Sequence, residues 1–124
     1  AEQADEDAPT RICAVGSVKE NEKILDIGPD TIKLYEKIIK DAKTIIWNGP
    51  MGMFEIDAFA KGTDDITRLL AASSADTVVG GGETVASIKR LGLEDQMTFV
   101  SMGGGAMLDL LEKGTLPGIE PLKE

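Results

Sequence analysis

Short apolar runs alternate along this chain with longer stretches in which apolar residues recur at helical spacing. Runs of β-branched and aromatic residues predict strands. Four strands are expected, at Arg11–Val15, at Thr44–Trp47, around Val78 and Val79, and at Met97–Ser101. Strands that alternate with helices imply a parallel sheet with helices on both faces. The pattern therefore predicts an α/β, Rossmann-like fold with three α/β/α layers and a mostly parallel sheet of about four strands.

The most regular helical pattern follows Asp26-Ile27-Gly28-Pro29, where the proline lacks an N–H that the first turn of a helix does not need. The apolar face of this helix comprises Ile32, Tyr35, Ile38, Ile39 and Ala42. Thr63 is predicted to cap a later helix, because the two aspartates after it complement the helix dipole. Other helices are expected around residues 56–60, after the glycines that follow Val79, and from Met107 to Leu111, where Gly114 is a suitable stop.

Composition places the chain among globular proteins of one domain. It has 124 residues, 42% of them apolar, and a formal net charge of −9. That charge opposes non-specific binding to nucleic acid and to anionic membranes, and neither is expected as a partner. No segment has the pattern of a transmembrane helix or a signal peptide. We expect a flexible acidic lead-in at residues 1–10, a domain at 11–115 and an extended tail at 116–124.

Two features of the composition bear on chemistry. The single cysteine, Cys13, lies among apolar residues and is expected to be a buried thiol, which fits a reducing, cytoplasmic compartment. The sequence contains no histidine, so the commonest general base and metal ligand is absent. Any chemistry must then depend on carboxylates, lysines, backbone amides or a bound ion.

Three consecutive glycines, Gly80–Gly82, separate a predicted strand from a predicted helix. Glycine allows a sharp turn and a close approach of the backbone to a ligand, and the free N–H groups of a helix start favour an anion. This pattern predicts a phosphate-binding turn to which Thr84 adds a hydroxyl and Glu83 a carboxylate. A tight turn without a ligand remains the alternative for a single loop of this kind.

Glycine-rich turns follow three of the four predicted strands, at Gly49/Gly52, Gly80–Gly82 and Gly103–Gly105. The carboxyl ends of parallel strands share one edge of the sheet, where ligands bind in such folds. Three turns on one edge favour a ligand site over turns alone. Neither G-x-x-x-x-G-K-[ST] nor G-x-G-x-x-G after the first strand is present. The site must therefore belong to another class of phosphate site.

The motif W-N-G-P-M-G-M-F-E at residues 47–55 is far more specific than the glycines alone. With it, the sequence resembles phosphoglycerate kinase, and in particular the nucleotide-binding C-terminal domain of that family. Other motifs agree in order and spacing, from about Arg11 to the C-terminus. These motifs are D-I-G-P at 26–29, G-G-G-E-T at 80–84, S-M-G-G-G-A at 101–106, L-D-L-L-E at 108–112 and L-P-G at 116–118.

The resemblance implies a two-domain kinase that transfers a phosphoryl group between ATP and 3-phosphoglycerate in glycolysis, with ATP or ADP and Mg²⁺ bound. It implies that Glu55 binds the ribose. The other residues implied to line the nucleotide cleft are Gly49, Pro50, Met51 and Phe54. The loop implied to hold the nucleotide phosphates and magnesium comprises Gly81, Gly82, Glu83 and Thr84, with Glu83 as the metal ligand. The residues implied to act at the phosphoryl group during transfer are Gly82, Gly104 and Gly105.

The chain also departs from the family pattern. Glu83 stands where the family usually has aspartate, which changes the geometry available to magnesium, and Met102 replaces a small hydroxyl residue. The resemblance covers only the last third of such an enzyme, without its basic 3-phosphoglycerate site and its phosphate-contacting lysine. The chain alone is therefore expected to be inactive and at most a weak nucleotide binder; full-length members of the family are usually monomeric. The alternatives are a stand-alone, non-catalytic nucleotide- or phosphate-binding module and an α/β interaction domain whose glycines only form turns.

Overall fold

The computed structural model describes residues 1–114, and in that range it contains helices, parallel strands and two short 3₁₀ turns. The helices are α1 (Pro29–Asp41), α2 (Lys61–Ala72), α3 (Gly82–Arg90) and α4 (Gly104–Lys113). The strands are β1 (Thr44–Asn48), β2 (Asp76–Gly80) and β3 (Phe99–Ser101), and the 3₁₀ turns are Asp57–Phe59 and Glu94–Gln96. The tail predicted at 116–124, with its L-P-G motif, lies outside the described residues. No helix between residues 1 and 114 is both long and apolar enough to cross a membrane.

The strands form one parallel sheet in the order β1–β2–β3. Asn48 pairs with Gly80, and Gly80 pairs with Ser101, so the ends of the strands lie side by side. This confirms the predicted α/β fold with a parallel sheet, although the sheet has three strands in the described part of the chain instead of about four. We call the edge formed by Asn48, Gly80 and Ser101 the rim.

One face of the sheet carries the main hydrophobic core. Its buried members come from strands, helices and the segment before β3: Trp47, Ile66, Leu70, Val79, Ile88 and Met97. Successive residues of a strand point to opposite faces, so Gly80 faces away from this core and towards α4. The methyl group of Met107 lies on that side, 2.5 Å from where a Cβ on Gly80 would be. Helices therefore pack on both faces of the sheet, as predicted.

The second face of the sheet is only partly covered. Ile46 and Phe99 lie on either side of Val78 in the sheet register and are 47% and 59% exposed. Leu111 on α4 is exposed as well. Burial of apolar area contributes about 25 cal/mol per Å². The described part of the chain therefore takes most of its hydrophobic stabilisation from the first face.

Helix α1 confirms the helix predicted after Pro29 but not the burial of its apolar face. None of its residues is fully buried, and Tyr35 and Ile38 are exposed. Of the predicted face, Ile39 packs against the core. The reason is that α1 packs mainly against α2. This contact covers only part of the apolar face that the helical periodicity predicts.

The strand predicted at Arg11–Val15 is wrong. The segment is irregular, and Ile12 and Val15 are exposed. The thiol of Cys13, which was expected to be buried, is exposed too. A short run with strand propensity forms a strand only where a neighbouring strand pairs and packs with it. None of the described strands pairs with this run.

An ion pair organises this N-terminal segment instead. Arg11 Nε donates to Glu22 Oε1 at 2.9 Å, and Arg11 Nη2 donates to the second Glu22 oxygen and to the Ser17 carbonyl. The hydrogen bond from Arg11, followed by one from the Lys19 amide, lowers the pKa of Glu22 to about 2. The fold therefore favours the charged form of Glu22. The resulting stabilisation is fully present above the pKa that Glu22 has in the unfolded chain. It is lost as the pH falls towards about 2, the pKa of Glu22 in the folded chain.

Replacing Arg11 with glutamine is expected to raise the pKa of Glu22 towards the ordinary value of about 4.3, because the main cause of its lowering is removed. Carbon-13 NMR of the Glu22 carboxyl group during a pH titration measures this shift. Lys23→Gln is the matched control, since Lys23 belongs to the same segment and forms no ion pair with Glu22 among the described residues. A Glu22 midpoint that Arg11→Gln leaves unchanged would contradict the pairing.

Candidate functional site

Glycine-containing turns continue from all three strands at the rim, and two of them are in direct backbone contact. A Cβ placed on Gly104 would lie 2.7 Å from the Cα of Gly81 and 2.5 Å from the side-chain oxygen of Asn48. These distances leave no room for a side chain at position 104. The turns after β2 and β3 therefore meet beside the last residue of β1, at the edge of the sheet where the sequence predicts that they converge.

Gly81 connects β2 with α3 and cannot be replaced without strain. Its φ is +94°, a region that residues with a Cβ rarely adopt. A Cβ there would also lie 2.6 Å from Asn48 Oδ1. The Gly81 N–H donates to the Ser101 carbonyl at 3.0 Å. This bond extends the β2–β3 ladder and holds the turn against the end of β3.

The two helices that start at these turns begin with glycine N-caps. α3 starts at Gly82 and α4 at Gly104, and neither N-cap residue supplies a side-chain acceptor. The first-turn N–H groups of a helix carry partial positive charge and have no acceptor within the helix. Gly82, Glu83 and Gly105 are exposed, so an anion can approach this part of the rim. Two helix starts that meet in this way form a suitable site for phosphate.

Both main-chain groups of Gly49 fix the turn after β1. The Gly49 N–H donates to Thr84 Oγ1 at 2.7 Å, and its carbonyl accepts from Trp47 Nε1 at 2.6 Å. Thr84 and Trp47 are both buried. The tryptophan of the W-N-G-P motif thus closes the turn with its indole N–H. The Thr84 hydroxyl oxygen thus already accepts a hydrogen bond from Gly49. The contact predicted between Thr84 and a nucleotide stays a prediction.

Thr63 supports the same turn, and its predicted role as an N-cap is wrong. Helix α2 starts at Lys61, with Ala60 as its N-cap. Thr63 lies in the first turn and is fully buried. Its Oγ1 accepts from the amides of Met51 and Gly52 at 3.0 and 3.3 Å. A threonine followed by two aspartates is a typical sequence for a helix start. That its hydroxyl binds the turn after β1 follows from tertiary packing, which the local sequence does not show.

A half-buried carboxylate, Asp26, lies behind this turn, and the sequence patterns do not single it out as functional. Asp26 Oδ2 accepts from the Gly62 amide and Oδ1 from the Ile27 amide, both at 2.8 Å. Burial raises the pKa of Asp26 above its ordinary value. The two amide hydrogen bonds oppose this rise, and the negative charges of Asp64 and Asp65 add to it.

We call residues 49–55 the cleft loop; it contains the residues predicted to line the nucleotide cleft (Gly49, Pro50, Met51 and Phe54) and Glu55, which is predicted to bind the ribose. Phe54 is half-buried, and the Arg90 guanidinium carbon lies 5.9 Å from the centre of its ring, within reach of a cation–π interaction. Arg90 belongs to the end of α3, so this helix contacts the cleft loop at its far end as well. Glu55 is exposed, whereas Pro50 and Met51 are partly buried.

Glu83 is the acidic residue in the first turn of α3, and its side chain is exposed. Within residues 1–114 no group of three or more acidic or cysteine side chains is arranged to hold a metal ion. Magnesium usually keeps several waters and binds one or two carboxylates together with substrate phosphates. A single exposed glutamate beside helix-start amides therefore fits Mg²⁺ shared with a phosphate, and does not fit a metal enclosed by protein alone.

Two pockets of the described structure lie away from the rim. One, of about 640 Å³, is bounded by the N-terminal coil, including Asp5 and Arg11. The other, of about 240 Å³, is an apolar groove between α1 and β1 that includes Ile38 and Ile46. Neither contains the glycine turns. The candidate site is thus an open edge of the sheet that carries main-chain amides, and not an enclosed pocket.

Fold and rim together place the chain in a class of parallel α/β proteins. In this class, glycine turns and helix starts meet at the carboxyl ends of the strands, an arrangement suited to phosphate-bearing ligands. A sequence profile described as phosphoglycerate kinase matches residues 1–114. The chain belongs to the phosphoglycerate kinase family.

Individual relatives support the same assignment. The phosphoglycerate kinase of Rubrobacter xylanophilus is 51% identical over 124 residues, which is all of this chain and 32% of that protein. The one of Leptospira biflexa is 55% identical over 98 residues, 79% of this chain and 25% of the relative. The solved structure of phosphoglycerate kinase from Coxiella burnetii has a TM-score of 0.90 and 45% identity, covering 99% of this chain and 32% of its own. The chain thus spans about a third of the length of the relatives that it matches.

Gly104→Ala is expected to destabilise the chain by about 1–3 kcal/mol, because the new methyl group overpacks the contact with Gly81 and Asn48. Gly105→Ala is the matched control: no atom lies within 4 Å of a Cβ at that position. As a helix residue it should be neutral or stabilising by up to about 1 kcal/mol. Urea denaturation of the three chains measures the difference. Equal midpoints for both variants would show that the two turns are not in contact.

Proposed function

We propose that this chain forms part of the nucleotide-binding site of a phosphoglycerate kinase. The whole enzyme would transfer a phosphoryl group reversibly between ATP and 3-phosphoglycerate, a step of glycolysis, with ATP or ADP and Mg²⁺ as ligands of this part. The observation that carries the proposal is the contact between Gly81 and Gly104, which sets two helix starts side by side at the rim. Membership of the family supports the choice of ligand.

The nucleotide phosphates are proposed to bind to the amides at the starts of α3 and α4. Phosphoryl transfer depends mainly on positioning and on stabilising the charge of the transferred group. The amides of Gly82, Glu83 and Gly105 belong to first turns at exposed positions. They offer fixed partial positive charge that needs no reorganisation during the reaction. Amides also allow a chain with a net charge of −9 to bind an anion locally.

The cleft loop is proposed to hold the nucleoside. Phe54 offers an apolar surface, and the exposed carboxylate of Glu55 is a natural acceptor for two ribose hydroxyls. The same loop residues that the resemblance assigns to the cleft are proposed to line it: Gly49, Pro50 and Met51. Thr84 on α3 anchors the start of this loop through the Gly49 amide, so the nucleoside and phosphate parts of the site share one rigid helix.

Glu83 is the proposed magnesium ligand, with the remaining positions filled by nucleotide phosphates and water. When bound, magnesium neutralises part of the phosphate charge. The glycines at the two helix starts are proposed to lie next to the transferred phosphoryl group, because positions without side chains permit close approach. These glycines are Gly82, Gly104 and Gly105.

The second substrate, 3-phosphoglycerate, is proposed to bind to a part of a family-length enzyme outside these residues. Two facts support this: the chain spans about a third of its relatives, and the resemblance assigns the acceptor site to an N-terminal domain. By itself the chain is proposed to bind nucleotide weakly and not to catalyse transfer. A cytoplasmic location is proposed on the same family grounds.

Gly82→Val is expected to abolish the amide shifts that ATP with magnesium causes at residues 83, 84 and 104–106, because a β-branched side chain keeps phosphate from the backbone. The fold should persist, since the nearest atom to a Cβ at this position is the Met102 methyl carbon at 4.0 Å. Two-dimensional NMR titration measures the effect. Ala86→Val, one turn further along α3 at an exposed position, is the control. Binding that survives Gly82→Val unchanged would exclude the glycine rim as the phosphate site.

The purified chain is expected to show no transfer from ATP to 3-phosphoglycerate, although ATP with magnesium still shifts the rim amides. The reason is that the acceptor site is proposed to lie outside the chain. The measurement is the rate of ADP formation in the presence of 3-phosphoglycerate minus the rate in its absence. The rate of the Gly82→Val variant serves as the background. A rate above that background would contradict the assignment of the acceptor site.

A further inference from the structure

The carboxylate of Asp26 joins separate segments behind the cleft loop. One oxygen accepts from the Ile27 amide and the other from the Gly62 amide, each at 2.8 Å. The preceding residue, Leu25, accepts a hydrogen bond from the Met53 amide at 3.0 Å. Asp26 thus stands where the segment before α1, the cleft loop and the first turn of α2 come together.

Two glycines leave the space that this carboxylate fills. A Cβ on Gly52 would lie 2.4 Å from Asp26 Oδ1 and 2.6 Å from the carbonyl oxygen of Phe59. A Cβ on Gly62 would lie 2.2 Å from the same Asp26 oxygen. Gly52 belongs to the cleft loop and Gly62 to α2. Only the absence of side chains at both positions lets the carboxylate contact both segments.

A second connection runs from Asp26 to the cleft loop through α2. Asp26 binds the Gly62 amide, and the adjacent Thr63 accepts from the amides of Met51 and Gly52. The loop is therefore held in two ways, by packing of Gly52 on the carboxylate and by hydrogen bonds to a helix turn that the carboxylate binds. Both connections reach the loop shortly before Phe54.

We infer that Asp26 is a positioning residue for the nucleoside part of the site: its carboxylate holds the cleft loop against α2 and so sets the place of Phe54 and Glu55. The inference rests on the proposed nucleotide-binding function. A half-buried carboxylate is costly to desolvate, and the raised pKa of Asp26 reflects that cost. The two amide hydrogen bonds offset part of it.

Comparing two ligands distinguishes positioning of the cleft loop from a general loss of binding at the whole site. ATP with magnesium requires both the rim and the cleft loop, whereas inorganic tripolyphosphate offers the phosphate chain without a nucleoside. Asp26→Asn keeps the side-chain volume but places an NH₂ group against an amide donor. It is expected to weaken ATP binding about tenfold and to leave tripolyphosphate affinity within about twofold, both measured by NMR titration of the full chain.

Asp30→Asn is the matched control, because it removes the same charge four residues later from an exposed position in α1 and should change neither affinity. Hydrogen exchange supplies an independent readout. The amides of Met51, Gly52 and Met53 are expected to exchange about tenfold faster in Asp26→Asn than in Asp30→Asn, since their supporting contacts loosen.

The outcomes separate this inference from the proposed function. Equal weakening of both ligands, unchanged ATP affinity, or unfolding of the whole Asp26→Asn chain would each overturn the positioning role. Unfolding counts against it because a positioning residue leaves the sheet intact. If the unsubstituted chain binds neither ATP nor tripolyphosphate, the proposed nucleotide site itself is refuted.

Discussion

The contact between the Gly81 and Gly104 backbones beside Asn48 fixes how closely the turns after β2 and β3 approach each other. Neighbouring parallel strands lie about 4.8 Å apart, so helices that start at their ends are crowded from the outset. α3 packs on the core face and α4 on the opposite face, and their starts meet only at the rim. The absence of side chains at the meeting point lets the starts of the two helices approach each other closely.

The cleft loop depends on a different kind of constraint. It has little regular structure, and buried polar side chains from α2, α3 and β1 hold its main chain in place. Thr84 and Trp47 bind Gly49, and Thr63 binds the two amides of Met51 and Gly52. A buried polar group without a partner costs about 1–3 kcal/mol. The loop is therefore ordered by the surrounding fold, and the rigid elements of the domain determine where Phe54 and Glu55 lie.

The faces of the sheet contribute unequally to this arrangement. The core face contains Trp47 and Val79, from two strands that end at the rim, and Ile88 from α3, which begins beside it. The opposite face leaves Ile46 and Phe99 largely exposed in the described part of the chain. The geometry of the candidate site therefore depends on packing at the core face. A change that destabilises this core is expected to disturb the site as well.

Sequence patterns alone were sufficient to predict the parallel α/β class, the family and most of the helices and strands. These predictions rest on patterns that can be read along the chain, such as Pro29 at a helix start, the glycines after β2 and the W-N-G-P motif. The contacts between distant segments could not be predicted in this way. Arg11–Val15 has the composition of a strand but pairs with none of the strands that the structure describes, and Thr63 has the composition of an N-cap but binds a loop. Asp26 contacts an amide 36 residues away. Local composition does not encode which distant group a side chain meets, because that contact exists only once the sheet and its helices have packed.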